Sequence, residues 1–183
     1  MIPAKQGLEE NFHNLFNNVT DAVITSDLED RVISWNRNAE KVFGRSAGEV
    51  TGKNLSQLIV PFDLWDERLA IIRQVKSGCV YAGIETERLR RDETRVNVNM
   101  TAAPLWDGHH NICGILYIFK DVTETKRLSD ELKQSEGKFL SVVQSTADAI
   151  ILADSIGNII SWNRSAQEIF QYSEKEVLGK PIT

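Results

Sequence analysis

Two cysteines are too few for a disulfide framework, and Cys79 and Cys113 show no CxxC or metal-type spacing. They read as reduced thiols of an intracellular protein. No apolar run approaches the ~18–20 residues that a membrane-crossing helix needs, and the N-terminus lacks a signal-peptide core. The expectation is therefore a cytoplasmic chain without direct membrane insertion. An excess of basic residues is also missing: 21 Lys and Arg stand against 26 Asp and Glu, a net charge of −5. Nucleic acid is not expected as a partner. The densest basic run, Arg88-Leu89-Arg90-Arg91, sits among Glu85, Glu87, Asp92 and Glu93 and reads as a solvated, charge-balanced face. Three histidines remain: His13 on the polar side of a helix, and His109 and His110 in a turn. There is no Ser/His/Asp order, no glycine-rich phosphate loop, no metal-spaced cluster and no phospho-acceptor histidine helix. The adjacent carboxylates Glu9-Glu10 and Asp66-Glu67 point in different directions on their helices. The chain reads as non-enzymatic, with no catalytic or metal site.

What the chain does have is an internal repeat. Asp21–Ser56 returns as Asp148–Thr183 at a constant offset of 127 residues, with 16 identities in 36 positions. Ile33-Ser34-Trp35-Asn36-Arg37 becomes Ile160-Ser161-Trp162-Asn163-Arg164, and Gly52-Lys53 becomes Gly179-Lys180. Unrelated stretches would match at roughly one position in twenty. The organisation is one complete domain, a connector and the first part of a second copy. The expected boundaries are 1–20 for an N-terminal amphipathic helix, 21–123 for the first domain, 124–146 for a linker helix and 147–183 for the partial copy. Half an antiparallel sheet leaves unpaired edges, so truncation is the simplest account of where the copy stops.

Along the chain, Leu8, Phe12, Leu15 and Phe16 share one helical face. Two short strands, Asp21–Ser26 and Arg31–Trp35, form a hairpin. Asn36 is placed to cap the helix Arg37–Phe43, and Gly44 to end it in a left-handed conformation. A longer helix spans Asp63–Lys76 with Leu64, Ile71, Ile72 and Val75 inward. The pattern then alternates: Val96, Val98, Met100 and Ala102 against Asn97, Asn99 and Thr101. Trp106-Asp107-Gly108 supplies a turn before the apolar strand Ile112–Val122. The fold class is α+β, an antiparallel sheet with helices on one face. Thr123 is the expected N-cap of a long helix. Its seam of Leu128, Leu132, Phe139 and Val142, with Thr125 and Ser135, is interrupted by Gly137 and predicts pairing with a second helix.

In that order, the hairpin ending Ser34-Trp35-Asn36, Asn36-x-x-Ala39, Phe43-Gly44, Glu49-Val50-x-Gly52-Lys53, Arg90-Arg91-Asp92 and Asp121-Val122-Thr123 resemble the PAS family of signalling domains. The resemblance runs from about Leu8 to Thr125 and begins again at Phe139. It implies a five-stranded sheet in the order 2-1-5-4-3, with helices enclosing a cavity. It also implies that Asp121 and Thr123 couple the sheet to an output helix. The family's Asp-Gly turn is replaced by Asp92-Glu93, which predicts a less tight turn.

The resemblance leaves the cofactor open. The photoactive flavin branch needs Gly-x-Asn-Cys where this chain has Gly52-Lys53-Asn54-Leu55, and polar partners where it has Phe119 and Val98, so photochemistry is not expected. Haem-binding members carry an axial histidine in the long helix, where the nearest match is Arg68, so His-ligated haem is disfavoured. The candidate pocket is apolar: Ile24, Val98, Met100, Ala102, Ile115 and Phe119 on the sheet, closed by Trp35, Phe43, Leu58 and Ile72. These side chains either fill the core or leave room for a small apolar or metabolite ligand, and polar candidates such as Thr25 and Ser34 are too few to name its class. The expected function is a sensory relay in a two-component-type protein such as a histidine kinase or a cyclase. It would act as a homodimer and pass a change through Asp121-Val122-Thr123 to a downstream output domain. The alternatives are a structural dimerisation spacer with a filled core, and a redox-sensing flavin domain.

Overall fold

The computed structural model describes residues 14–182, so most of the expected N-terminal helix, Leu8 to His13, lies outside the described residues. The chain divides into two compact units, Met1–Lys126 and Arg127–Thr183. Among the described residues, no helix is long and apolar enough to cross a membrane.

In the first unit, β1 (Ala22–Ser26) and β2 (Val32–Trp35) form the hairpin, followed by α1 (Arg37–Phe43), α2 (Ala47–Val50) and α3 (Leu55–Ile59). A 3-10 turn, Phe62–Leu64, precedes α4 (Trp65–Lys76), and β3 (Tyr81–Leu89), β4 (Arg95–Trp106) and β5 (Ile112–Asp121) complete the unit. All pairings are antiparallel and the order is β2-β1-β5-β4-β3, as expected. Period-two alternation sends Ile24, Val98, Met100, Ala102, Ile115, Tyr117 and Phe119 to one face. There they pack with Phe43, Val50, Leu55, Ile59, Ile71 and Val75 of the helical layer.

Asn36 closes the hairpin onto α1. Its Oδ1 accepts from the N–H groups of Val23 (2.9 Å) and Ala39 (2.8 Å), and its Nδ2 donates to the carbonyls of Phe16 and Asp21, both at 3.0 Å. Gly44 ends α1 at φ 69° and donates its N–H to Glu40, as the sequence predicts.

Local differences from the sequence reading concern turns and helix ends. The turn after β3 is tight: Glu93 donates to the Arg90 carbonyl and takes φ 65° without glycine, while Asp92 Oδ1 accepts from Thr94. Trp106 is the last residue of β4, so the following turn starts at Asp107, whose Oδ1 accepts from the N–H groups of His109 and Asn111. The helix α5 (Thr123–Ser145) runs unbroken through Gly137, because one glycine weakens a helix without ending it.

The second unit repeats the hairpin as β6 (Ile151–Ala153) and β7 (Ile159–Trp162), followed by α6 (Arg164–Phe170) and α7 (Glu174–Val177). Asn163 reproduces the Asn36 set, accepting from Ile150 and Ala166 and donating to the carbonyls of Val143 and Asp148. Its core is small: Ile159, Trp162, Ala166 and Val177.

Candidate ligand pocket and output junction

Eight of the ten residues expected to line a cavity, Ile24, Trp35, Phe43, Val98, Met100, Ala102, Ile115 and Phe119, are buried in the close-packed core. Phe43 sets its ring centroid 5.4 Å from both Trp35 and Phe119. Leu58 borders a surface groove beside Arg31 and Lys53. Only Ile72 borders the pocket of about 310 Å³ that opens between the β1–β2 turn, α3 and α4. Its walls are Leu28, Trp65, Leu69 and Ile72, with Asp30, Ser56 and Arg68 and, toward solvent, Glu29, Gln57 and Lys76.

Two arginines that sequence reasoning treated as surface or stand-in residues are central here. Arg68 is 2% exposed. Its Nη2 donates to Asp30 Oδ1 at 2.7 Å, its Nε donates to Ser56 Oγ at 3.1 Å, and its guanidinium carbon lies 4.3 Å from the centroid of the Tyr117 ring. Asp30 Oδ2 also accepts from the Ser56 N–H at 2.9 Å. Asp30 adopts φ 64°, a conformation that favours glycine, and the repeat places Gly157 at the equivalent position with φ 87°. Arg88 is fully buried, which corrects the reading of its basic run as solvated. Period-two alternation turns Ile84, Thr86 and Arg88 toward the helical layer. There Arg88 donates to Thr86 Oγ1 at 2.8 Å, while its Nη2 meets Glu67 at 3.5 Å and the Met100 sulfur at 3.4 Å. Burial, then the Arg68 charge, lowers the Arg88 pKa to about 10, against the opposing pull of Glu67. Burial likewise pushes the Tyr117 phenol up.

A signal for Arg68 was present: it interrupts the inward stripe Leu64, Ile71, Ile72, Val75 at helical spacing. Asp30 was marked by its contrast with Gly157. Neither pattern names the partner, because Asp30, Ser56 and Arg68 meet only in the fold.

At the other end of the sheet, Asp121 and Thr123 form a junction. Thr123 does not cap α5 as expected. It is the first helical residue, and its hydroxyl faces β4, accepting from the Asn97 N–H at 3.2 Å. Asp121 supplies the terminal bond instead, its Oδ1 accepting from the Thr123 N–H at 2.9 Å. Asp121 Oδ2 pairs with Arg90 Nη2 at 2.9 Å, and Arg90 also donates to the Val42 carbonyl of α1. Lys126 Nζ donates to Asn97 Oδ1 at 3.0 Å. Partial burial pushes the Asp121 carboxyl up, but Thr123 and Arg90 outweigh it and hold its pKa below the ordinary carboxylate value. Beyond the junction, Leu128, Leu132, Phe139 and Val142 of the expected seam are all exposed, by 52–65%.

This architecture has known relatives. A phytochrome of Pinus sylvestris is 25% identical over 176 residues, which is 92% of this chain but only 16% of the phytochrome. The PAS domain of a Colwellia psychrerythraea protein superposes with a TM-score of 0.57 at 25% identity, covering 64% of this chain and 98% of that one. An RNA-binding light-oxygen-voltage receptor reaches a TM-score of 0.62 at 21% identity, over 75% of this chain and 39% of the receptor. The model of the PAS fold matches residues 10–122 and, beginning again, 137–183. With the 2-1-5-4-3 sheet, the Asn36 closure and its repetition at Asn163, those two matches place the chain in the PAS family.

Proposed function

We propose that the first domain is a non-catalytic sensory relay that dimerises along α5 and passes a change in its sheet through Asp121 and Thr123 to an output domain, such as a kinase or cyclase. The observation that carries this reading is the junction. One carboxylate holds both the first turn of α5 and Arg90, and Arg90 holds α1. A shift of β5 against β3 therefore moves the helix start. Together with Thr125 and Ser135, the four exposed apolar residues of the seam recur at 3- and 4-residue steps, and they offer a second copy of the chain a surface to bury.

Sedimentation of the parent chain and of the Leu128→Asp/Leu132→Asp variant tests the relay. The parent is expected to be a dimer and the variant a monomer with unchanged circular dichroism. A monomeric parent, or a variant that dimerises as tightly, overturns it. A spacer without a ligand is the second reading, supported by the packed Trp35–Phe43–Phe119 cluster. It predicts the dimer but no ligand response. A flavin would colour the protein. The fully buried Leu55 stands where photoactive relatives are expected to carry their thiol.

A further inference from the structure

At 23 residues α5 is the longest of the described helices, and none of its residues is buried. Thr125, Leu128, Leu132, Ser135, Phe139 and Val142 take the two inner positions of a heptad, and Gly137 falls on the opposite, outermost side. On one flank of this seam stand Glu124, Glu131 and Lys138, and on the other Ser129, Glu136 and Val143. Glu131 meets Arg127 one turn earlier at 2.5 Å, whereas Lys138 has no ion-pair partner among the described residues. In paired helices, flanking charges of this kind decide which way the partner runs.

In a parallel pair, one flank of each helix meets the other flank of its partner. Glu131 then faces the partner's Glu136, once on each side, and Lys138 faces the partner's Val143. Two like-charged contacts form and the lysine finds no opposite charge. In an antiparallel pair each flank meets its own copy. The alignment that overlaps the whole seam sets Glu131 of each chain against the partner's Lys138, and Ser129 against the partner's Glu136. Side-chain volumes agree with the charges. Antiparallel layers set Leu132 against the partner's Ser135 and Phe139 against the partner's Leu128. A parallel pair stacks Ser135 on the partner's Ser135 and Phe139 on the partner's Phe139, a gap beside a crowded layer.

We propose that two copies of the chain pair antiparallel along α5, with Glu131 of each bonded to the partner's Lys138. This rests on the dimer proposed above and gives it a direction. A helix of this length spans roughly 35 Å, so the two Asp121 junctions stand at opposite ends of the pair. Each helix start then packs, through Thr125, against the partner's Val142. Val142 adjoins Val143, whose carbonyl Asn163 holds in the second unit. A shift at Asp121 in one chain is thereby delivered to the second copy in the other.

The test is sedimentation equilibrium of the full chain and its charge variants, with circular dichroism to check helix content. Lys138→Glu is the cleanest variant, since it breaks no ion pair within the described residues. It is expected to raise the dissociation constant about tenfold, as two exposed attractive contacts per dimer turn repulsive. Glu131→Lys should weaken the dimer likewise, and the exchange Glu131→Lys/Lys138→Glu should return it to within about threefold of the parent. A parallel dimer predicts the reverse. Glu131→Lys would tighten it, because the reversed charge faces the partner's Glu136, and Lys138→Glu would leave it unchanged. Either result overturns the antiparallel pairing while the dimer reading stands, and so does an exchange variant as weak as the single ones. A monomeric parent chain overturns the dimer and this pairing with it. Oxidative cross-linking reads the direction at the seam itself. Both native thiols are exposed, so it is done with Cys79→Ser and Cys113→Ser in place. Leu128→Cys and Phe139→Cys chains should cross-link with each other and neither with itself. Self-cross-linking of either, or absence of the mixed product, overturns the proposal.

Discussion

Replacing Asn36 with alanine should unravel the start of the first domain, and the size of the effect follows from four hydrogen bonds. The side chain is fully buried and has two acceptor and two donor bonds. Loss of the cap on Ala39 N–H costs about 1 kcal/mol. The Val23 N–H, left unpaired in a buried strand, costs about 1–3 kcal/mol more. The carbonyls of Phe16 and Asp21 are only partly buried and turn to water at smaller cost. The sum is about 3 kcal/mol, a large share of the ~5–15 kcal/mol that holds a typical domain together. The thermal midpoint should fall by about 10–20 °C for a domain of this size. Hydrogen exchange should show the loss at the Val23 and Ala39 amides, alongside thermal unfolding followed by circular dichroism. Asn36→Asp separates the components, since it keeps both acceptors but sets a carboxylate against two carbonyls. It should lose stability at neutral pH and regain part of it on acidification, when the protonated acid can donate once. An Asn36→Ala midpoint within about 2 °C of the parent would refute the claim that this side chain closes the domain.

Two further predictions are independent of that one. Asp121 has a lowered folded-state pKa, so its contribution is present above the unfolded value near pH 3.8 and fades as the pH falls through the folded value. The first turn of α5 should therefore lose protection against exchange, measured relative to the intrinsic rate at each pH, on acidification below about pH 4, and Asp121→Asn should remove that pH dependence; retained dependence would point to another group. Gly114→Ala should destabilise the sheet by about 2 kcal/mol in urea unfolding. Its Cβ would stand 2.5 Å from the Ser26 carbonyl oxygen of the neighbouring strand, and an unchanged urea midpoint would show that β1 can yield.

The sheet and its helices were legible because their causes are local or periodic. Asn36 and Gly44 cap α1 through contacts within a few residues, and alternation along β4 sorts inward from outward side chains. The repeat supplied the rest, since each pattern could be read twice. The pocket was not legible in the same way. Arg88 lies in a run of charges whose sequence neighbours balance it, yet strand alternation turns it inward to Glu67 of α4 and Met100 of β4. The apolar residues singled out as lining form a packed core, because alternation reports burial and says nothing about where packing is incomplete. The role of Thr123 was misplaced for a related reason: its hydroxyl bonds Asn97, twenty-six positions away in the chain, and no helix-start rule contains that strand.

The glycine that answers Asp30 in the repeat separates inheritance of shape from inheritance of charge. At offset 127, Asp27 and Asp154 hold the same turn, each accepting two backbone N–H groups, and Asn36 and Asn163 close the same hairpin. The backbone at Asp30 and Gly157 bends alike, but only the first copy projects a carboxylate from the bend. An arginine set against the bend at Gly157 would find no side chain there, where Arg68 finds the Asp30 carboxylate. The duplication has preserved a frame and made its interior charge a private property of one copy, so the two hairpins can be exchanged for their geometry but not for their chemistry.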